Sequence, residues 1–298
     1  MKLFVNYNSK QELRAFLEER GLGMRKKFGQ NFLINPAIRT ILLDALDLPG
    51  GACVWEIGPG LGAMTAGLLE RGGRVTAFEI DPAFVKYLQE TFTAANAAGS
   101  FKLIEGDVFE TWPRVQAPVE DLYLLGNLPY NIAAAILADF IEKGRLFKRL
   151  VVTVQREVAR RMAARPGSAD YSSFSVLCSS VYKVSLLSII KGSSFYPVPK
   201  VDSQAVRLDH LSATDKLPPL FYPMVRSLFS MRRKKLKNTL SVFVSSVIMK
   251  DSKLAVTEAV NLALTKAGIS GDLRAETLGI DEFVKLAAVL TDAFGGLS

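Results

Sequence analysis

The sequence predicts an α/β fold, a doubly wound and mostly parallel sheet followed by a small all-helical domain, on three observations. From Ala52 onward, short apolar runs alternate with segments of helical period. The first run opens into a glycine-rich turn, Gly58-Pro-Gly-Leu-Gly62, that leads into a helix. Beyond His210 the alternation stops, a Pro218-Pro219 break follows, and only helical patterns remain. A length of 298 residues suits one large domain with an appendage, or two domains, at roughly 100–200 residues per domain.

In chain order, a helix over Ser9–Arg20 comes first: Ser9 and Glu12 make a capping box and Gly21 supplies the stop. A basic, glycine-punctuated stretch, Met24 to Leu33, follows. Pro36 then opens a second helix with Ile38, Ile41, Leu42 and Leu46 on its apolar face. Strands are expected at Cys53–Ile57, Arg74–Glu79, Phe101–Glu105, Asp121–Leu125 and Leu150–Gln155. Helices over 63–71, 82–95, 132–143 and 156–164 follow the first, second, fourth and fifth of them. Two further strands are expected at Val184–Ile189 and Ser203–Leu208. The expected division is a helical extension over 1–23, an α/β domain over 24–211 and a helical domain over 212–298.

Composition narrows the function classes. Apolar residues make up 49% and charged residues 22%, the balance of a soluble globular chain and not of a disordered or fibrous one. One histidine, His210, and two cysteines, Cys53 and Cys178, cannot fill a zinc site of the usual Cys/His kind, so no metal is expected. The two thiols are expected to stay reduced in an intracellular, cytoplasmic protein, although an organelle fits equally. Charge returns at Lys10, too early for the apolar core of a secretory signal. The longest uncharged run, Leu122 to Ala138, contains Gly126, Asn127, Pro129 and Asn131, which argues against a membrane span. The net charge of +8 is concentrated: 143–165 holds eight Lys/Arg against one acid, and 226–237 holds six against none. Each cluster reads equally as a phosphate footprint or as a solvated face.

The chemistry begins at Val54-Trp-Glu-Ile-Gly-Pro-Gly-Leu-Gly62, where a glycine turn between strand and helix lets a ligand approach the backbone. Gly58, Gly60 and Ala63 also satisfy the dinucleotide spacing, and Glu79, about twenty residues on, would grip ribose hydroxyls in either kind of cofactor. A nicotinamide oxidoreductase therefore stays open on these residues alone. Gly106-Asp107 after the third strand and Gly126-Asn-Leu-Pro-Tyr-Asn131 after the fourth discriminate further.

Asn127-Leu-Pro-Tyr130 preceded by Glu56-Ile-Gly-Pro-Gly60 resembles the S-adenosylmethionine-dependent adenine N6-methyltransferases of ribosomal RNA. With Phe28-Gly-Gln-Asn-Phe-Leu33, Pro199-Lys-Val-Asp-Ser-Gln-Ala-Val-Arg-Leu208 and Phe229-Ser-Met-Arg-Arg-Lys-Lys-Leu-Lys-Asn238, the chain is similar to the small-subunit rRNA adenine N6,N6-dimethyltransferases, the KsgA type. The resemblance runs from about Met24 to the C-terminus and implies a Rossmann-like seven-stranded methyltransferase domain. It implies S-adenosylmethionine as cofactor, with Asn31 and Leu33 at the methionine end, Gly58 lining its bed, Glu79 on the ribose, Asp107 on the adenine amine and Asn127 beside the methyl donor.

The substrate side has a physical rationale. An adenine amino nitrogen is a poor nucleophile because its lone pair is delocalised into the ring. Acceptors aimed at its N–H groups make it more tetrahedral. The Asn127 side-chain oxygen and the Leu128 carbonyl are the natural acceptors, Pro129 fixes the turn, and Tyr130 offers a ring for stacking. The resemblance makes Phe195 the second face of a base sandwich, though adjacent Tyr196 leaves open which ring serves. Arg156, Arg160 and Arg161, with Arg232, Arg233, Lys234 and Lys235, are the expected phosphate contacts, about a third of them structural instead. The expected partner is small-subunit rRNA in an immature subunit, met by a monomer away from any membrane. Two rivals remain, a large-subunit adenine dimethyltransferase conferring antibiotic resistance and a non-catalytic assembly factor.

Overall fold

The computed structural model describes residues 5–22, 30–116, 118, 121–211, 217–248 and 253–294. The basic start of the Met24-to-Leu33 motif, including Phe28 and Gly29, lies outside them, as do the expected boundaries at 23/24 and 212. The chain forms two compact units, Met1–Ala159 with Val184–His210, and Arg160–Lys183 with Leu211–Ser298.

The first unit opens with α1 (Lys10–Glu19), where the Ser9 hydroxyl accepts from the Glu12 N–H and Leu13 and Leu17 are buried. Next come β1 (Phe32–Leu33), α2 (Pro36–Leu46), β2 (Cys53–Ile57), α3 (Ala63–Glu70), β3 (Arg74–Glu79), α4 (Pro82–Thr91), α5 (Thr93–Ala97) and β4 (Phe101–Glu105). Then follow α6 (Val108–Thr111), β5 (Leu122–Asn127), α7 (Ala133–Glu142), β6 (Arg149–Gln155) and α8 (Arg156–Met162). Seven strands form one sheet in the order β4-β3-β2-β5-β6-β9-β7, with β7 at Tyr182–Ile190 and β9 at Ser203–His210. The four pairings from β4 to β6 are parallel and β6–β9 is antiparallel. Near-continuous apolar runs such as Leu122–Leu125, all buried, are what a parallel sheet covered on both faces requires.

Two details depart from the expectation and matter for the site. β5 runs two residues further than expected, so Gly126 and Asn127 belong to the strand and Asn127 pairs with Thr153 on β6. A two-stranded antiparallel ribbon, β1 with β8 (Phe195–Tyr196), pairs Leu33 with Phe195 and Phe32 with Tyr196.

In the second unit, residues 160–183, expected in the α/β domain, pack with the C-terminal helices. The Tyr171 hydroxyl donates to the Leu278 carbonyl at 2.9 Å, and its ring meets Phe229 edge-on at 5.7 Å. The core there is built from α9 (Ser173–Val181), α10 (Phe221–Ser230), α11 (Leu236–Ile248), α12 (Lys253–Ala267) and α13 (Ile280–Phe294). Ser175 and Ser180 are fully buried in α9, their hydroxyls donating to the Arg161 and Leu177 carbonyls.

Candidate active site

Strand order reverses at β2, which has β3 on one side and β5 on the other. Chains leaving the carboxyl ends of neighbouring strands there go to opposite faces and leave a crevice. A cavity of about 310 Å³ occupies it, lined by all six expected cofactor residues: Asn31, Leu33, Gly58, Glu79, Asp107 and Asn127. The glycine turn forms its floor. Gly60 and Gly62 take φ of +58° and +78°, and a Cβ on Gly62 would come within 2.5 Å of the Phe92 ring. Glycine here is thus demanded by backbone conformation and by close packing together.

Glu79 ends β3 almost completely buried. Its carboxylate accepts from the Ile80 and Asp81 N–H groups at 2.9 Å and from the Gly60 N–H at 3.3 Å. Burial outweighs these donors and pushes its carboxyl up to about 7. Glu56, on β2 in the same cavity, is also pushed to about 7 by burial, although the Thr65 hydroxyl donates to it at 2.6 Å. Asp107 caps α6, one oxygen accepting from the Phe109 N–H at 2.9 Å. These acids suit a ligand offering hydroxyls, an amino group and positive charge. They oppose a pyrophosphate, since the Gly60 amide that would cradle it already serves a carboxylate. The residues present therefore fit S-adenosylmethionine better than a nicotinamide dinucleotide.

On the substrate side, the Asn127 amide nitrogen donates to the Asn31 carbonyl at 2.7 Å. Only nitrogen can donate to a carbonyl, so this bond fixes the amide orientation and turns its oxygen away from Asn31. The Leu128 side chain is buried and its N–H bonds the Thr153 carbonyl, while Pro129 lines the cavity and its carbonyl caps the start of α7. Tyr130 is held by a 2.5 Å hydrogen bond between its hydroxyl and that of Ser203. Phe195 is different: it is fully buried in the core and absent from the cavity wall. Its expected stacking role does not match this arrangement, because pairing with Leu33 in the ribbon directs the ring inward. Tyr196 keeps exposed area, with the Lys10 ammonium 5.7 Å from its ring centroid.

The basic residues divide. Arg160 pairs with Asp170 at 3.4 Å, and the half-buried Arg161 lies 5.9 Å from the Phe174 ring centroid. Arg232 pairs with Glu276 at 3.0 Å and also reaches the Ala169 carbonyl. Lys235 and Lys237 share Asp272 at 3.0 and 3.1 Å. Arg156, Arg233 and Lys234 are exposed. Exposed pairs such as Lys235–Asp272 are worth little, so they can be exchanged for a phosphate.

The charged or hydroxyl-bearing lining residues Tyr7, Arg39 and Glu56 were given no individual role by sequence reasoning. Glu56 left a signal, a charge inside an apolar strand between Trp55 and Ile57. Tyr7 and Arg39 left none, being surface-pattern residues of the N-terminal segment and α2.

The model of the family described as ribosomal RNA adenine dimethylase matches residues 21–274. The chain belongs to this family. It is accordingly an S-adenosylmethionine-dependent rRNA adenine methyltransferase. Among similar proteins, the ribosomal RNA small subunit methyltransferase A of Treponema denticola is 43% identical over 96% of each chain. The protein of the same name from Borreliella burgdorferi is 38% identical over 97% of each. In fold, a dimethyladenosine transferase from Plasmodium falciparum superposes with a TM-score of 0.73 at 24% identity, covering 88% of this chain and 97% of that one. The 23S rRNA methyltransferase ErmE gives 0.60 at 22%, covering 87% and 98%.

Proposed function

We propose that this enzyme transfers methyl groups from S-adenosylmethionine to the exocyclic amino group of adenines in small-subunit rRNA, giving N6,N6-dimethyladenosine during maturation of the small ribosomal subunit. The observation that carries the reading is the Asn127 amide, held by the Asn31 carbonyl at the mouth of an acid-lined cavity. Glu79 takes the ribose hydroxyls and the second oxygen of Asp107 takes the adenine amine. The cofactor, when bound, supplies an activated methyl group and a neutral thioether as leaving group. The chain's residues align and polarise the amine. The Asn127 side-chain oxygen and the Leu128 carbonyl accept its N–H groups, and Tyr130, steadied by Ser203, stacks on the base. With Phe195 buried in the core, Tyr196 is the adjacent ring with area left to meet the base. No strong base is needed, since transfer from a sulfonium is downhill and the product ammonium sheds its proton readily.

The names and high coverage of the curated relatives support a small-subunit target over a large-subunit one. The helical unit's Arg233 and Lys234, with Arg156, Arg160, Arg161, Arg232 and Lys235, supply phosphate contacts. Labelled S-adenosylmethionine with under-methylated small subunits, and large subunits alongside, tests the reading. Label is expected in the small-subunit RNA; incorporation into the large-subunit RNA instead contradicts it.

A further inference from the structure

The wall of the cofactor cavity carries three carboxylates, Glu56, Glu79 and Asp107, and among its described residues a single cation, Arg39. Arg39 reaches it from α2, held by two bonds: one guanidinium nitrogen donates to the Leu33 carbonyl at 2.8 Å and the other to the Asn8 side-chain oxygen. These bonds use two of its five N–H groups. Its charged face lies against the Tyr7 ring, 5.1 Å from the centroid. Tyr7 is brought in by the segment before α1, and its edge-on contact with Phe32 at 6.2 Å packs it against β1. The Tyr7 hydroxyl points at the glycine turn, 4.0 Å from where a Cβ on Gly60 would sit. It makes no hydrogen bond among the described residues. Burial pushes the phenol above its usual range, opposed by Arg39 and reinforced by Glu56, so it stays a proton donor at any working pH.

We propose that Tyr7 and Arg39 form the binding site for the carboxylate of the cofactor's amino-acid end. S-adenosylmethionine carries one anionic group, its α-carboxylate, and two cationic centres, the ammonium and the sulfonium. In a cavity of three acids and one guanidinium, the carboxylate belongs at Arg39, and the cationic centres belong among the acids. Tyr7 is the only neutral hydroxyl donor lining the cavity among the described residues, and it stands against Arg39. A phenol and a guanidinium side by side give a carboxylate two charge-assisted or short hydrogen bonds. The site also makes the segment before α1 part of the cofactor pocket. This inference rests on the cofactor assignment made above.

Calorimetric titration with S-adenosylmethionine and with its decarboxylated analogue tests the site without any turnover. The unmodified protein is expected to bind the carboxylate-bearing ligand at least about 10-fold more tightly, on the scale of one hydrogen bond to a charged group. Tyr7→Phe, which keeps the ring and its packing, should cut that ratio by about 3- to 10-fold. Arg39→Gln should abolish it while leaving affinity for the decarboxylated ligand nearly unchanged. If the unmodified protein favours the carboxylate and both variants keep the same ratio, the site is elsewhere and the proposal is overturned. Equal losses for both ligands overturn it too, because they assign Arg39 and Tyr7 to holding the N-terminal segment alone. Failure of the unmodified protein to bind either ligand overturns instead the cofactor assignment beneath it.

Discussion

At the level of single residues, a few groups have surroundings that leave one atom free for a ligand. Asn127 is the clearest, its nitrogen engaged by Asn31 and its oxygen left to accept. Asn127→Ala removes that acceptor and leaves the turn, so methyl transfer should fall by at least about 100-fold in single-turnover kinetics while RNA affinity hardly changes. Near-normal transfer would mean that another group aligns the amine. Glu56 allows a pH prediction. Its carboxyl titrates near 7 in the folded chain and near 4.5 when exposed, so the folded state holds the proton more tightly. Stability therefore declines as pH rises from about 4.5 through about 7. Glu56→Gln cannot ionise, so its thermal midpoint should gain on that of the unmodified protein across that interval; a constant difference would show that Glu56 does not carry the charge cost. Glu79, Asp107 and Asn127 were visible in the sequence as polar residues at or just beyond strand ends, while Glu56 left a signal that was given no role. The Tyr7–Arg39 contact was not, because residues 32 positions apart meet only once α1, β1 and α2 are folded together.

Elements position these groups, and the sequence revealed the long ones best. β2, β3 and β4 fall where their apolar runs predict, since five or six residues bounded by turn signals define a buried strand. The β1–β8 ribbon, two residues a side, is too short to show any period. Missing it hid the burial of Phe195. α9 was not anticipated: its serines are weak helix signals in sequence, whereas in the fold their hydroxyls bond back to nearby carbonyls and the helix is buried. The turn from β2 to α3 gives the prediction at this scale. Gly62→Ala places a methyl 2.5 Å from Phe92 at a φ of +78°. It should lower stability by about 1–3 kcal/mol in denaturant titration, with a loss of cofactor affinity, whereas Gly99→Ala, which meets nothing within 4 Å despite a φ of +72°, should cost less. Equal effects would mean that backbone strain alone fixes the turn.

For the whole molecule, charge separates chemistry from recognition. The acids gather at the cofactor cavity in one unit, while Arg233 and Lys234 lie exposed in the other. Neutralising Arg233 and Lys234 together should leave cofactor affinity intact and flatten the salt dependence of subunit binding by about two units of slope. An unchanged slope would make the turn a solvated face. Arg232→Ala should in addition lower the thermal midpoint, since it removes the partner of Glu276. On the function proposed above, one pocket places two methyl groups on the same adenine nitrogen. The most direct measurement is mass spectrometry of nucleosides from small-subunit rRNA after incubation of under-methylated subunits with the enzyme and S-adenosylmethionine. N6,N6-dimethyladenosine is expected as the end product; accumulation of a ring-methylated adenine, or of the N6-monomethyl product alone at long times, would rule that function out.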